Sequence, residues 1–176
     1  MSPTALLDPA ALAAAERWAS RAELIVRAAS REALLAAEFR AVGHRSPSLP
    51  AVARLLAADW VSYDTSDDRV GPARLARVLA AAPTRFVRWD LTLGGRWLPV
   101  GYTGWYRVSG ATVAAVCADP ALAASREIFV PSHAGAWVYL FNYSVTPALR
   151  GSPLSRALMQ RYAADLQRQV GGVALH

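Results

Sequence analysis

Hydrophobic positions follow two rhythms along this chain, and the change between them comes at Pro83. Before it, apolar residues recur every three to four positions, the spacing of helices that bury one stripe. Asp8-Pro9 opens a predicted helix running to about Ala19, with Asp8 as the cap and Pro9 at the first helical position. Ala22 to Ala29 holds a short β-prone core and reads as a strand. Ser30 caps a helix to about Val42, with Leu35, Phe39 and Val42 on one stripe. His44 to Pro50 is a loop. Val52, Leu55, Leu56 and Trp60 mark another helix, and Gly71-Pro72 opens a short one carrying Leu75, Val78 and Leu79. The acidic stretch Asp64 to Asp68 lacks the glycine and the closing glutamate of a calcium loop and reads as a solvated turn.

After Pro83 the texture is that of strands. Phe86 to Leu93, the turn signal Gly94-Gly95 and Trp97 to Val108 predict a hairpin. Alternation along its second strand places Trp97, Trp105 and Arg107 on one face. Ala111 to Ala118 fits strand or helix equally, and Asp119-Pro120 looks like another helix start. Ala136 to Val145 is the strongest strand pattern in the chain. Ser152 and Pro153 then open a helix whose buried face is Leu154, Leu158, Tyr162 and Leu166. Gly171-Gly172 stops it, and a last strand begins at Val173. The order, with its hairpin leading into strand, helix and strand, is an α/β pattern.

Composition narrows the function classes. The 176 residues include 37 Ala, 19 Arg, no Lys and a single cysteine, Cys117, with a formal net charge of +6. One cysteine excludes a disulfide framework and any multi-cysteine metal site, and no metal is expected. Ile128 to Leu149 carries no charged side chain and is long enough to span a bilayer. It contains Pro131, Ser132, His133, Asn142, Ser144 and Pro147, and its aromatic and β-branched residues suit a buried strand better, so no membrane association is expected. The start of the chain has no basic leader, which points to a cytoplasmic protein. The dispersed arginines make a generally basic surface, compatible with an acidic partner.

The segment that carries chemistry runs from Tyr139 to Leu158. A buried strand passes through Arg150-Gly151 straight into a helix start. Such a start aims free N–H groups and a positive dipole end at its neighbour, an arrangement that binds phosphate. This segment resembles the acetyl-CoA-binding motif of the GNAT acyltransferase superfamily, in which a strand ending Val-x-Pro leads to Arg/Gln-x-x-Gly-x-Gly/Ala and a helix. Val145-Thr146-Pro147 matches the strand end, Arg150 the first motif position, Gly151 and Ser152 the variable ones, and Leu154 the apolar fifth. Pro153 replaces the fourth-position glycine and Ser155 the sixth-position small residue.

The resemblance implies a GNAT-like mixed α/β sheet flanked by helices over residues 22–176, with residues 1–21 as a helical extension. By the family's pattern the last helix and final two strands would be missing beyond His176. A homo-oligomer or partner chain would then complete the sheet, and the 176 residues alone would transfer little. The resemblance further implies an acyltransferase moving an acyl group, most simply acetyl, from a CoA thioester to an amine. A donor carried by an aminoacyl-tRNA or a carrier protein is the alternative, as is an acyl-CoA-binding module without turnover. Val145, Arg150, Gly151, Ser152, Leu154 and Ser155 would hold the donor. Tyr143, Ser144 and Val145 would line the thioester, and Tyr139, Asn142 and Ser144 are the catalytic candidates. The strand carries no carboxylate, which leaves Asp90, Glu127 and His133 as the other candidates for the base.

Overall fold

The computed structural model describes residues 8–43, 48–63 and 69–170. Helices α1 (Pro9–Ala28) and α2 (Arg31–Leu35) precede strand β1 (Phe39–Gly43), helix α3 (Leu49–Ser62) and helix α4 (Pro72–Ala81). The hairpin β2 (Phe86–Leu93) and β3 (Arg96–Val108) leads to α5 (Gly110–Ala118), β4 (Trp137–Val145) and α6 (Pro153–Val170). The four strands lie in the order β1-β2-β3-β4, and all three pairings are antiparallel. No helix among the described residues is long and apolar enough to cross a membrane.

Two elements differ from the sequence pattern. The predicted strand at 22–29 is the second half of α1, capped as expected by Asp8, whose carboxylate accepts from the Ala10 N–H at 3.1 Å. Ala15, Ala19, Ala22 and Val26, spaced by four, three and four, form one buried helical stripe. The packing this stripe gains against α3 outweighs the local β preference of Leu24-Ile25-Val26, and Leu24 is left exposed. The boundary expected between residues 21 and 22 therefore falls inside one continuous helix. The predicted helix 30–42 is likewise cut short. Ser30 caps only α2, and the chain then extends so that Phe39 to Gly43 can pair with β2. The first strand of the sheet is thus Phe39–Gly43. Residues 110–118, equally strand or helix by pattern, are helical, capped by the Ser109 hydroxyl. Of the predicted loop 44–50, Ser48 is the cap and Leu49 and Pro50 the first residues of α3, where proline fits the first helical turn; residues 44–47, the acidic stretch 64–68 and the last strand from Val173 lie outside the described residues.

Each of the two inner pairings contains one extra residue, and these bulges decide which way side chains face. Trp89 pairs with Gly101 but Asp90 with Pro99, leaving Val100 as the extra residue. The alternation that put Trp97 and Trp105 on one face is broken there. Trp97 lies under the Arg40 guanidinium, whereas Trp105 is buried with Tyr162, Leu166 and Val170 of α6. In β4, Gly104 faces Asn142 and Trp105 faces Leu140, so Phe141 is extra. Tyr139, Phe141 and Asn142 consequently face α3 and α4, while Tyr143 turns to α6.

Helix α3 crosses one face of the sheet. Val52, Leu55 and Leu56 meet Phe86, Tyr102 and Tyr106 in one cluster, while Ala53, Ala57 and Val61 meet the small stripe of α1. The expected α6 stripe is confirmed for Leu158, Tyr162 and Leu166, extended by Val170. Leu154 is only partly buried.

Close approach of β3 and β4 depends on Gly101. A Cβ placed there would lie 2.0 Å from the Ser144 carbonyl oxygen. Gly101→Ala should therefore lower the unfolding free energy by about 1–3 kcal/mol, the usual cost of overpacking. Chemical denaturation measures it; a stability equal to that of the parent would show that the two strands can part there freely.

Candidate functional site

The turn between β4 and α6 is built from local bonds. The Thr146 N–H donates to the Val100 carbonyl at 2.6 Å, keeping β4 against β3 to its end. N–H groups alternate sides along a strand, so that of Val145 points away from β3. Leu149 and Arg150 donate back to Thr146 and Pro147, and Ser152 donates to Leu149. Gly151 has φ +73°, a left-handed conformation that suits glycine. The Ser152 hydroxyl caps α6, accepting from the Ser155 N–H at 3.2 Å and donating to the Leu149 carbonyl at 2.6 Å.

These bonds thin out the expected cradle. Four N–H donors are expected at the turn, from Gly151, Ser152, Leu154 and Ser155. Those of Ser152 and Ser155 are engaged, and those of Gly151 and Leu154 remain for a ligand. Arg150 does not face this spot. Its guanidinium donates to the carbonyl oxygens of Ser62 and Val145, the latter at 3.4 Å, tying the end of α3 to the end of β4. A cleft of about 730 Å³ opens beside the turn, between the C-terminal end of α1, α2 and the start of α6. Val26, Leu34, Ser152 and Leu154 line it, Arg31 brings positive charge, and Arg27, paired with Glu23 at 2.7 Å, stands on the same wall. Neither arginine is predicted as part of the site, because the sequence pattern places both far from this turn.

The three catalytic candidates are not brought together. The Tyr139 ring stacks on Phe129 with centroids 4.2 Å apart, and the Tyr106 ring lies against it at 5.3 Å. The Ser144 hydroxyl is buried and bridges the N–H and carbonyl of Tyr102 at 3.3 Å each. Asn142 joins a polar cluster that the sequence did not suggest. Its side-chain oxygen accepts from the Tyr63 hydroxyl at 2.9 Å, and its amide donates to Asp59 at 3.4 Å. Tyr143 packs under α6, its hydroxyl donating to the Ser155 carbonyl at 2.9 Å.

Asp59 is the buried carboxyl beside β4. It is 1% exposed, and its other oxygen accepts the Val70 N–H at 2.8 Å. Burial pushes its pKa up to about 6, opposed by the Val70 and Tyr102 contacts and by the positive charge of Arg69. The Tyr102 hydroxyl lies beside Asp59 and Asn142 yet makes no well-directed hydrogen bond, and Thr146 Oγ1 is also buried without a partner. Burial and the Asp59 charge raise the Tyr63 and Tyr102 phenols above their ordinary value. In sequence Asp59 is one acid on an apolar helix; only the fold sets it under Asn142.

The other candidates for the base have structural partners. Asp90 is fully buried between Arg88 and Arg40. Glu127 is exposed and pairs with Arg77 and, at 3.8 Å, with Arg74. His133 lines a small cleft with Arg85, Trp105 and Arg107, away from the turn.

This architecture has counterparts among solved structures. The chain is similar to the loading GNATL domain of CurA from Lyngbya majuscula, with 17% identity and a TM-score of 0.52, over 77% of this chain and 61% of that one. The fold is GNAT-like. A GNAT-like decarboxylase, GphF in complex with isobutyryl-CoA, is also similar, at 23% identity and a TM-score of 0.49, over 74% of this chain and 59% of that one. The chain thus spans about three fifths of the length of these structures. No family model and no curated protein matches the sequence.

Asp59 gives the cluster a pH signature. Its carboxyl titrates near 3.8 when solvated and near 6 in the folded chain. Between those values the folded state holds the proton more tightly, so stability falls as pH rises from about 4 to about 6 and stays low above. The full loss is about 3 kcal/mol, at 1.36 kcal/mol per unit. Asp59→Asn should flatten this slope in denaturant titrations from pH 4 to 8; an unchanged slope would assign it to other groups.

Proposed function

We propose that the chain binds the thioester of an acyl-CoA, with the pyrophosphate at the turn after β4 and the acyl end beside Val145. The observation that carries this reading is the pair of unbonded N–H groups, Gly151 and Leu154, at the start of an 18-residue helix and beside a cleft bearing Arg31. Two amides, the helix dipole and a guanidinium form a cationic pocket for a doubly charged group. Pro153, at the first position of α6, keeps the helix start rigid but contributes no donor.

The chemistry follows from where the thioester lies. The Val145 N–H, pointing away from β3, polarises the thioester carbonyl and stabilises the oxyanion that forms when a nucleophile adds. The amine's electron pair forms the new bond to the carbonyl carbon, the C–S bond breaks, and the proton that the amine loses ends on the departing sulfur, so that CoA leaves as the thiol. We assign the reaction class as acyl transfer, most simply of an acetyl group to an amine, in the cytoplasm. Asn142, held from behind by Asp59 and from the side by Tyr63, is the polar group of β4 best placed to orient the acceptor or a water. The basic surface would also suit a donor carried on an acidic carrier protein or a tRNA.

A second reading, a module that binds acyl-CoA without turnover, is favoured by one observation. Among the described residues the carboxyl nearest β4, Asp59, is sealed from solvent and already bonded. Tight CoA binding with no acyl transfer or hydrolysis would select it.

Calorimetry with CoA tests the site. Arg31→Ala should weaken binding about tenfold, because a charge-assisted contact contributes about 1.5–3 kcal/mol, and should leave Tm unchanged. Arg150→Ala should lower affinity and Tm together, since it releases the ends of α3 and β4 from each other. No binding of CoA to the intact chain, or an Arg31→Ala variant that binds like the parent, would overturn the reading.

A further inference from the structure

A second cleft lies far from the turn, against the N-terminal half of α1. It measures about 630 Å³ and is lined by Ala11, Ala15, Trp18, Pro50 and Ala53, with Arg40, Arg54 and Arg88 among the same walls. Apolar walls with three guanidiniums are an unusual combination, and the charges do not balance. Asp90 is the carboxylate bonded there: Arg88 grips it through Nε at 2.6 Å and Nη2 at 2.8 Å, and Arg40 through Nε at 3.1 Å and Nη2 at 3.0 Å. Two cations thus share one anion, and Arg54, exposed on α3, adds a third positive charge.

Arg88 carries the decisive detail. It is 3% exposed, and its Nη1 is buried with no hydrogen-bond partner. A buried charged group left with idle donors is costly, and such groups are normally bonded. Trp18 covers this guanidinium, its ring centroid 5.1 Å from the carbon. The indole itself is only partly buried and forms part of the cleft wall. For a ligand in the cleft to reach Nη1, the Trp18 side chain has to turn aside.

We propose that this cleft is a binding site for a small organic anion, the carboxylate of an apolar acid. One carboxylate oxygen takes the Nη1 donors of Arg88, the other faces Arg54, and the apolar body lies along the alanine face of α1. The start of α3, at Leu49–Pro50, adds its positive dipole end on the same side. This site and the turn after β4 share no residue, so the inference stands whether or not the chain binds CoA.

Hexanoate is the probe, with hexanol and hexylamine as neutral and cationic controls of equal length. Hexanoate should bind saturably, raise Tm as a ligand of the folded state must, and change tryptophan emission through Trp18. The Trp18→Phe variant should lose the emission change and keep the Tm shift. Arg54→Gln, an exposed position that leaves the fold intact, should weaken binding at least fivefold. Arg88→Met should abolish it, with Arg40 still bonded to Asp90. Saturating CoA should not compete. Equal binding of hexanol, an affinity unaffected by Arg54→Gln, or displacement of hexanoate by CoA would each overturn the proposal.

Discussion

The C-terminal end of α3 stops among other elements rather than in open water, and most of the site depends on how its last carbonyls are satisfied. A helix leaves four carbonyl oxygens unpaired at that end, together with the negative end of its dipole. Two arginines supply the donors. Arg69 donates to the carbonyls of Trp60, at 3.3 Å, and Tyr63, at 3.1 Å, while Arg150 takes that of Ser62. The guanidinium suits this task, since it carries five donors in a fixed fork and keeps its charge. Each arginine also binds a remote segment to the helix end. Through Arg150 the turn after β4 is located relative to α3, and through the Val70 N–H on Asp59 so is the segment that follows residues 64–68.

This constraint explains why Arg150 is poorly placed to be a phosphate ligand even though it stands at the motif's first position. Its Nε and Nη2 are taken up by the Val145 and Ser62 carbonyls, and it does not line the cleft beside the turn. The arginines that line the cleft beside the turn are Arg27, itself paired with Glu23 at 2.7 Å, and Arg31, and both come from a different part of the chain. The buried polar cluster behind β4 follows from the same geometry. Asp59 lies one turn before the helix end, and the bulge at Phe141 turns Asn142 towards it. Without the extra residue, Asn142 would face α6 instead, and the carboxyl would lack its amide partner.

The parts of the fold with a strong local pattern were legible. The hairpin, β4, α3, α4 and the start of α6 at Pro153 all fall where alternation, helical spacing and caps put them. The break between β4 and α6 was legible too, because Thr146-Pro147 and Gly151 are local in sequence. What could not be read was decided by contacts between distant residues. The β-prone run at residues 24–26 became helix because α3 offered its alanine stripe a partner. Phe39 to Gly43 became an edge strand because β2 offered it a ladder. A bulge has no reliable sequence mark, so the facing of Trp97, and of Asn142, could not be derived from alternation. Asp59 was invisible as a site residue for the same reason, its chemistry being conferred by burial alone.

Helix α1 shows how far such long-range decisions reach. Read as a detachable extension plus a strand, it would contribute nothing to a ligand site. As one 20-residue helix it walls both clefts. Val26 and Arg27 near its C-terminal end face the turn, and Ala11, Ala15 and Trp18 face the arginine-lined cleft. A cut at residue 21 would leave Ala22 and Val26 on a seven-residue remnant, too short to hold a helix by itself. It would also strip Ala15 and Ala19 from Ala53, Ala57 and Val61 of α3. The end of α3 that locates the turn would then be uncovered along its outer side. The N-terminal helix is therefore part of the structure that shapes the site.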